Sequence, residues 1–339
     1  MKKVIFFLSL YFVVLTKVNA SFIVMNQDNK QVLFQSNMHE KRLIASITKV
    51  LTAHIVLSNI DNLDQEVLVG DEVLKAHGSS IYLNKGEVIT IRDLLYGMLL
   101  RSGNDAAIVL AKATTGSVDS FVDLMNDEVK KLGLKDSIFY NPTGLDDNVK
   151  GNVSTAYDMA VITIEAMKDN RFKKIFKTKH YKCKTNLKSY DWYNKNKTLS
   201  MYKYVSGGKT GYTKKAKRTL ITTAKKDNIN LVIVSLNMAD DFNFHVNYYK
   251  SIFRDYENYL ILNKDNLSVN DNYYKKDNCR FYTLYNYFYL ANKDDIKNIH
   301  IEYILSKYKK IRSDMIVGLI HVYNNKDIIY DEPLYIKCT

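Results

Sequence analysis

The chain has 339 residues, 46% of them hydrophobic, and carries a formal net charge of +13. This length allows two domains, and the hydrophobic content is ordinary for a globular protein. A basic chain could bind nucleic acid, but the lysines are dispersed and the N-terminus predicts export, so we expect no nucleic-acid partner. An anionic surface outside the cell is a better match for this charge.

Residues 1–20 have the pattern of a secretory signal peptide. Lys2 and Lys3 precede an apolar stretch, and Val18-Asn19-Ala20 offers small residues for cleavage. The apolar stretch is too short for a comfortable membrane span, which favours cleavage after Ala20 over a retained anchor. We therefore predict an exported protein, either extracellular or at the cell-wall or membrane surface.

The hydrophobic pattern predicts a hairpin followed by helices in the first half of the chain. The hairpin covers residues 22–35, and the first helix begins at Ser46. A second helical region covers residues 90–113 and breaks at Ser102-Gly103-Asn104. Further amphipathic helices are predicted at residues 117–132 and 154–168.

Beyond about residue 200 the pattern changes to strands. Residues 219–224 and 231–236 predict two strands, and residues 243–261 predict a helix. Short strands follow at residues 281–289, 299–304, 315–322 and 334–336. We interpret residues 261–339 as a separate β-rich domain after a larger domain at residues 21–260.

The cysteines and histidines form no recognisable pattern. Cys183, Cys279 and Cys338 are widely scattered and odd in number, so no disulfide framework is expected. The seven histidines show no metal-ligand spacing, so we expect neither a metal nor another cofactor.

Three short motifs carry the chemistry, and they occur in a fixed order: Ser46-Ile47-Thr48-Lys49, Ser102-Gly103-Asn104 and Lys209-Thr210-Gly211. Only Lys-Thr-Gly is unique in the chain. The other two patterns also match at Ser200, Ser206 and Ser306, and at Ser235 and Ser268. The combination, rather than any single match, indicates a serine acyl-transfer enzyme with lysine as its base.

The first motif supplies a nucleophile and a base. Positions i and i+3 share a helix face, so Ser46 and Lys49 can touch, and free N–H groups at a helix start can hold an oxyanion. Lys49 is a base only when neutral, and burial beside another cation such as Lys209 would lower its pKa. An isolated Ser46 would be a helix N-cap; the two partner motifs favour the catalytic interpretation.

The other two motifs can bind and protonate the substrate. Ser102 could relay a proton to the leaving amine, and Asn104 could bind a substrate amide. A peptide could pair with an edge strand at the third motif, where Lys209 and Thr210 would meet its carboxylate. Alone, these two motifs would be an ordinary turn and a hairpin turn with a solvated lysine.

These motifs resemble those of the low-molecular-mass penicillin-binding proteins, the serine D-alanyl-D-alanine carboxypeptidases. The similarity covers about residues 22–260, and it extends more loosely into the tail through Val317-Gly318 and Glu332-Pro333-Leu334. Further shared segments are Gly78-Ser79-Ser80, Asp93-Leu94-Leu95, Asn141-Pro142-Thr143-Gly144-Leu145 and Ser154-Thr155-Ala156-Tyr157-Asp158.

The resemblance implies an antiparallel sheet flanked by helices, with a helical subdomain and a small β-rich C-terminal domain. It implies that Ser46 is acylated by the penultimate D-alanine of the peptidoglycan stem peptide, with Lys49 as base and Ser102 as proton relay. Asn104, Lys209, Thr210 and Gly211 would bind substrate, and the N–H groups of Ser46 and Tyr212 would form the oxyanion hole. β-Lactams would trap Ser46 covalently.

The chain departs from the family in three places. Lys217 and Arg218 follow Ala216 where the family has glycine, and the family's carboxylate-binding arginine is not evident. Phe244 and His245 occupy that neighbourhood, so Arg218 or His245 are candidates for the role. The family's C-terminal amphipathic membrane helix is not evident either, so no such anchor is expected.

Two alternatives share the expected fold. A class A β-lactamase needs a deacylating glutamate in a Glu-x-x-Leu-Asn context, and the nearest glutamate, Glu165, lacks that context. Gly103 also stands where those enzymes have aspartate. The second alternative is an inert wall-binding protein, against which the complete set of motif residues argues.

Overall fold

The computed structural model describes residues 20–146, 150–271, 274, 279–308 and 310–338, and the predicted leader lies outside them except for Ala20. Its centre is a five-stranded antiparallel sheet made of β1 (Ser21–Asn26), β2 (Val32–Ser36), β9 (Val205–Thr213), β10 (Lys217–Lys226) and β11 (Ile229–Leu236). The strand order in the sheet is β2-β1-β11-β10-β9.

The predicted hairpin and the two predicted strands are confirmed in this sheet. The hairpin is β1 and β2, and the turn between β10 and β11 contains Asp227 with a φ of 51°, a conformation that aspartate tolerates. The sequence analysis placed an edge strand at the third motif. Lys209-Thr210-Gly211 lies inside β9, the last strand in the order of the sheet.

Eight described helices surround this sheet: α1 (Lys49–Asn59), α2 (Ile91–Arg101), α3 (Asn104–Thr115), α4 (Val118–Lys131), α5 (Ala156–Ala166), α6 (Asn170–Phe176), α7 (Thr198–Met201) and α8 (Asp241–Asp255). The predicted break at the second motif is confirmed between α2 and α3. Several begin at a capping side chain: Thr90 Oγ1 accepts a hydrogen bond from Asp93 N at 3.0 Å. The helix predicted to begin at Ser46 begins with a 3₁₀ turn, Ala45–Thr48.

Helices cover both faces of the sheet. On one face Ile221, Val232 and Val234 belong to the same buried cluster as α1, α2 and α5. On the other face Ile233 packs with Tyr249 of α8. Side chains alternate between the faces of a strand, so β10 and β11 contribute apolar groups to both layers. The expected fold class, an antiparallel sheet flanked by helices, is confirmed.

Three short antiparallel pairs lie between the helices. They are β3 (Arg42–Leu43) with β6 (Val153–Ser154), β4 (Glu66–Leu68) with β5 (Val88–Thr90), and β7 (His180–Lys184) with β8 (Ser189–Tyr193). The last pair, which was not predicted, alternates exposed residues with half-buried ones in β7 and with buried ones in β8.

The C-terminal region is β-rich, as predicted, but its strand bounds differ. The helix predicted at residues 243–261 ends at Asp255, and the predicted strand 281–289 is two strands. The strands are β12 (Tyr256–Leu262), β13 (Cys279–Tyr282), β14 (Tyr287–Asn292), β15 (Ile299–Leu305), β16 (Met315–Asn324) and β17 (Asp327–Cys338). β12 pairs with β14, and the others form a sheet in the order β13-β17-β16-β15.

The expectation about the cysteines was wrong for two of the three. Cys279 and Cys338 form a disulfide between β13 and β17, while Cys183 is free. The two bonded cysteines are 59 residues apart but face each other directly across the two strands. Spacing in the sequence gives no sign of this pairing because it depends on strand register.

Among the described helices, none combines the length and the apolar character that crossing a bilayer requires.

Candidate active site

Ser46 and Lys49 lie where the 3₁₀ turn passes into α1. Lys49 Nζ is 3.2 Å from Ser46 Oγ, so the contact expected from their spacing is present. Lys49 is fully buried, whereas Ser46 is half-buried and can meet a substrate. The turn therefore presents one accessible hydroxyl beside one enclosed amine.

Lys49 has two further partners, and both are neutral oxygens. Its Nζ is 2.7 Å from Asn104 Oδ1 and 2.5 Å from the Thr143 carbonyl. Together with Ser46 Oγ, these oxygens give Lys49 Nζ three hydrogen-bond acceptors, and none of them carries a charge. No carboxylate contacts Lys49 in this set, so nothing in it compensates a positive charge on the amine.

The charges around Lys49 favour the same state. Burial, followed by the nearby charges of Lys209 and Lys195, holds the pKa of Lys49 well below its ordinary value, and Asp105 opposes this only weakly. Burial and the charge of Lys195 also lower the pKa of Lys209, to about 7. Removing a lysine from water destabilises its charged form, and a neighbouring cation adds to that effect.

Ser102 links the second motif to the third. It ends α2 in a left-handed conformation, with a φ of 67°, and this bend turns its hydroxyl toward β9. Lys209 Nζ donates to Ser102 Oγ at 3.0 Å and to the Thr210 carbonyl at 2.6 Å. All three motifs therefore meet in one site through two lysines, Lys49 on Ser46 and Lys209 on Ser102.

Asn104 is held from the opposite side by the loop before β5. Its amide nitrogen Nδ2 donates to the His77 carbonyl at 2.5 Å, and its backbone N–H donates to the Ser79 carbonyl at 2.8 Å. The same loop is fixed by Asp105, whose carboxylate accepts the N–H groups of Ile81 and Leu83. Asp105 is thus occupied by backbone donors, and Asn104 has a fixed orientation.

Strand β9 passes directly beside the nucleophile. A Cβ atom at Gly211 would lie 2.9 Å from the backbone nitrogen of Ser46, so only glycine fits here. Tyr212, whose N–H is the expected second donor of the oxyanion hole, follows Gly211 in this strand. Strand β9 is the last strand of the central sheet, and its Tyr212 side chain is 63% exposed.

Neither candidate for the missing carboxylate-binding arginine faces this site. Arg218 lies opposite Tyr212 and shares its face with Thr222, which contacts α8, and its guanidinium bonds to the buried Asp241. His245 is fully buried, 2.8 Å from Thr222 Oγ1 and 2.9 Å from Ser235 Oγ. The suggestion that Arg218 or His245 binds the carboxylate was therefore wrong, because both belong to the α8 side of the sheet.

Arg218→Ala is accordingly expected to destabilise the fold without changing substrate affinity. Asp241 would remain buried without its cation, which costs about 1–3 kcal/mol. Urea unfolding should show this loss, and the KM for a peptide ending in D-Ala-D-Ala should stay within about twofold. Arg254→Ala, which removes only an exposed ion pair with Asp255, is the control and should change stability little. A rise in KM confined to Arg218→Ala would contradict this placement.

Sequence reasoning missed two contributors to the site. The Thr143 carbonyl contacts Lys49, and the only signal was its segment of resemblance, Asn141 to Leu145. Lys195 lowers the pKa values of both site lysines, yet it lies in a lysine-rich stretch where one more lysine carries no signal.

Gly144 fixes the Thr143 carbonyl, and its replacement tests that contact. It has a φ of 79°, and a Cβ there would lie 1.9 Å from the Ala45 carbonyl oxygen, next to Ser46. Gly144→Ala should destabilise the fold by more than the roughly 1–2 kcal/mol of a left-handed alanine and should slow penicillin acylation. Gly116→Ala also forces an alanine into the left-handed conformation, with a φ of 82°, but its new Cβ would lie in open space. It should lose stability while acylating normally; equal acylation by both variants would contradict the expectation.

The described residues hold no group of three or more histidine, cysteine, aspartate or glutamate side chains arranged to bind a metal ion.

Comparison with known proteins places the chain in a family. A family description, D-alanyl-D-alanine carboxypeptidase (Peptidase_S11), matches residues 15–240. The chain belongs to this family. It is 35% identical over 219 residues to D-alanyl-D-alanine carboxypeptidase DacF of Bacillus subtilis, a match that covers 63% of this chain and 56% of that protein. It is also 35% identical over 219 residues to the D-alanyl-D-alanine carboxypeptidase of Streptomyces sp. strain K15, covering 60% of this chain and 75% of that protein.

Solved structures share the fold over nearly the whole chain. The D-alanyl-D-alanine carboxypeptidase DacD from Francisella tularensis superposes with a TM-score of 0.78 at 21% identity, covering 94% of each chain. Penicillin binding protein 6B from Escherichia coli gives a TM-score of 0.73 at 26% identity, covering 92% of this chain and 93% of that one. The similarity includes the C-terminal β-rich region, which the family description does not cover.

Proposed function

We propose that this protein is a serine-type D-Ala-D-Ala carboxypeptidase that removes the terminal D-alanine from peptidoglycan stem pentapeptides. The observation that carries the proposal is the meeting of the three motifs in one site, with Lys49 Nζ 3.2 Å from Ser46 Oγ and Lys209 Nζ 3.0 Å from Ser102 Oγ. The family membership supports the same reaction class.

In the acylation step, Lys49 takes the proton of Ser46 while Oγ attacks the carbonyl carbon of the penultimate D-alanine. The developing oxyanion is stabilised by the backbone N–H groups of Ser46 and Tyr212. Ser102, joined to Lys209 at 3.0 Å, delivers its proton to the leaving amine of the terminal D-alanine and receives in turn the proton that Lys49 took, so Lys49 is neutral again. The peptide pairs with the outer edge of β9 and places its backbone against Ser46.

In the deacylation step, water attacks the acyl carbonyl, and Lys49 accepts the proton of that water. The bond to Ser46 Oγ then breaks, Lys49 returns the proton to this oxygen, and the former penultimate D-alanine is released with a free carboxyl group. A β-lactam would acylate Ser46 by the same route and persist, since its ring-opened leaving group stays attached to the acyl-enzyme.

The alternatives have weaker support. A class A β-lactamase would place a glutamate beside Ser46, whereas Glu165 lies in the last turn of α5, where it pairs with Lys168. An inert wall-binding protein gives no reason for two buried lysines in contact with two serines. Burying a lysine destabilises the fold, and only a role in catalysis or binding would balance that loss.

Fluorescent penicillin labelling, combined with an assay of D-alanine release, separates these functions. The carboxypeptidase is expected to give a stable label and to release one D-alanine per pentapeptide. A label lost within seconds together with penicillin hydrolysis would indicate a lactamase, and neither label nor release would indicate an inert protein.

We also propose that the leader at residues 1–20 directs export and that the enzyme acts on the cell wall, an anionic surface that matches its basic net charge. We further propose a catalytic domain at residues 21–260 and a β-rich domain at 261–339. β12 crosses this division and pairs with β14 of the second domain.

A further inference from the structure

A cavity of about 420 Å³ lies between one end of the central sheet and helices α5 and α6, and the proposed reaction does not use it. The described residues of its lining include one carboxylate, Asp28. They also include four lysines from three parts of the chain: Lys168 after α5, Lys173 and Lys177 at α6, and Lys225 in β10. The cavity therefore carries a positive charge.

This cavity and the active site lie toward opposite ends of β10. Thr219 Oγ1, near the start of the strand, donates to the Ile44 carbonyl at 2.9 Å, two residues before Ser46. Lys225 follows six residues after Thr219, a distance of about 20 Å along an extended strand. A ligand in the cavity would thus leave Ser46 free to react.

The central sheet directs Lys225 into the cavity. Alternate residues of a strand share a face, so Lys225 lies on the same face of β10 as Ile221, which packs with α5. The Lys225 N–H donates to the Tyr204 carbonyl at 2.9 Å, and Lys225 is paired with Asn230 of β11. The backbone from which this side chain extends is therefore fixed on both sides.

Helix α6 adds two cations that are one turn apart. Lys173 and Lys177 are joined by the bond from the Lys177 N–H to the Lys173 carbonyl, and like charges at this spacing repel. The end of α6 favours cations through the helix dipole, but this does not account for Lys225, which comes from the sheet. Two distant elements thus bring charges of one sign to the same cavity, where only an anion would remove their repulsion.

The carboxylates near the cavity compensate little of this charge. Lys168 pairs with Glu165 at 2.7 Å, whereas Lys173 Nζ donates to the neutral side-chain oxygen of a neighbouring asparagine at 3.0 Å. Both Asp28 oxygens accept Asn230 Nδ2, at 3.0 and 2.9 Å. In the part of the chain that the structure describes, the lysines at 173, 177 and 225 have no ion-pair partner.

We propose that this cavity binds a chain of phosphodiesters through Lys173, Lys177 and Lys225. The ammonium group of lysine is a point charge that suits phosphate, whereas the planar fork of arginine matches a carboxylate better. The cavity is larger than one phosphate group and is recessed between helices and sheet, so a flexible chain can enter it and a flat bilayer cannot. An anionic polymer of the cell wall has this chemistry, and binding it would retain the exported protein there. The inference draws on the proposed export and not on the proposed reaction.

The test measures binding of a glycerol phosphate hexamer by calorimetry at several salt concentrations. Three neutralised phosphates predict that log Kd rises with log salt with a slope of about 2. Lys173→Gln and Lys225→Gln should each weaken binding about fivefold and lower that slope by about 0.7. Lys174→Gln is the charge-matched control, an exposed lysine of α6 outside the cavity, and it should change Kd by less than about twofold.

D-Alanine release from a short peptide should be unchanged in all three variants, because the cavity is remote from Ser46. Absence of hexamer binding, or equal weakening by Lys173→Gln and Lys174→Gln, would overturn the proposal, since net charge alone would then attract the chain. Inorganic phosphate should bind at least about tenfold more weakly than the hexamer; equal affinity would mean a site for one anion. Phosphatidylglycerol vesicles that bind more tightly than the hexamer, and lose that binding in Lys225→Gln, would assign these lysines to a lipid surface instead.

Discussion

Ser46→Ala is expected to abolish both D-alanine release and penicillin labelling while leaving the fold intact. The hydroxyl is the atom that forms the acyl bond, and removing a catalytic nucleophile lowers kcat by a factor on the order of 10⁴–10⁶. Intact-mass analysis after penicillin exposure should find one adduct on the wild-type protein and none on the variant. Circular dichroism should be unchanged, because Ser46 caps no helix with its side chain.

Ser206 gives the sharpest control for this assignment. It also precedes a lysine by three residues, Lys209, but both lie in β9, where residues three apart point to opposite faces. Its hydroxyl bonds to Thr223 Oγ1 at 2.9 Å. Ser206→Ala should therefore label normally. An adduct that persists in Ser46→Ala, or that maps to Ser206, Ser200 or Ser306, would refute Ser46 as the nucleophile.

The contrast between Ser46 and Ser206 shows what the sequence could predict. A short motif predicts a contact between its residues only when the local backbone is known. Ser46 and Lys49 touch because the 3₁₀ turn that begins at Ala45 brings residues three apart onto one side. The chemistry of Lys49, Ser102 and Lys209 followed from the same reasoning, since three motifs with complementary roles constrain one another.

Features that depend on register and on distant pairing were not predictable in this way. The face of Arg218 depends on its partner Tyr212 across β9 and β10, and the disulfide depends on the register of β13 and β17. Lys195 reaches the site only because the β7–β8 hairpin returns the chain to the end of α2. None of these is a local property of the residues concerned.

Lys49→Met is expected to lower acylation about as strongly as loss of the nucleophile, and the wild-type rate should rise with pH. Burial and the charge of Lys209 hold the pKa of Lys49 well below its ordinary value. The base works only when deprotonated, so kcat/KM is low below that pKa and increases as the pH passes through it. Stopped-flow measurement of penicillin acylation across the pH range checks this, and near-normal acylation by Lys49→Met would require another base.

The pH at which the acylation rate rises should depend on Lys209, because its charge acts on Lys49. Below its own pKa of about 7, Lys209 is a cation close to Lys49, so Lys209→Met removes a charge that disfavours protonation of Lys49 in that pH range. The pKa of Lys49 then rises, and the limb of the acylation profile should move to higher pH. Lys225→Met is a suitable control, since this exposed lysine of β10 lies near the far end of the sheet. An unchanged profile in Lys209→Met would contradict the contribution of Lys209 to the lowered pKa of Lys49.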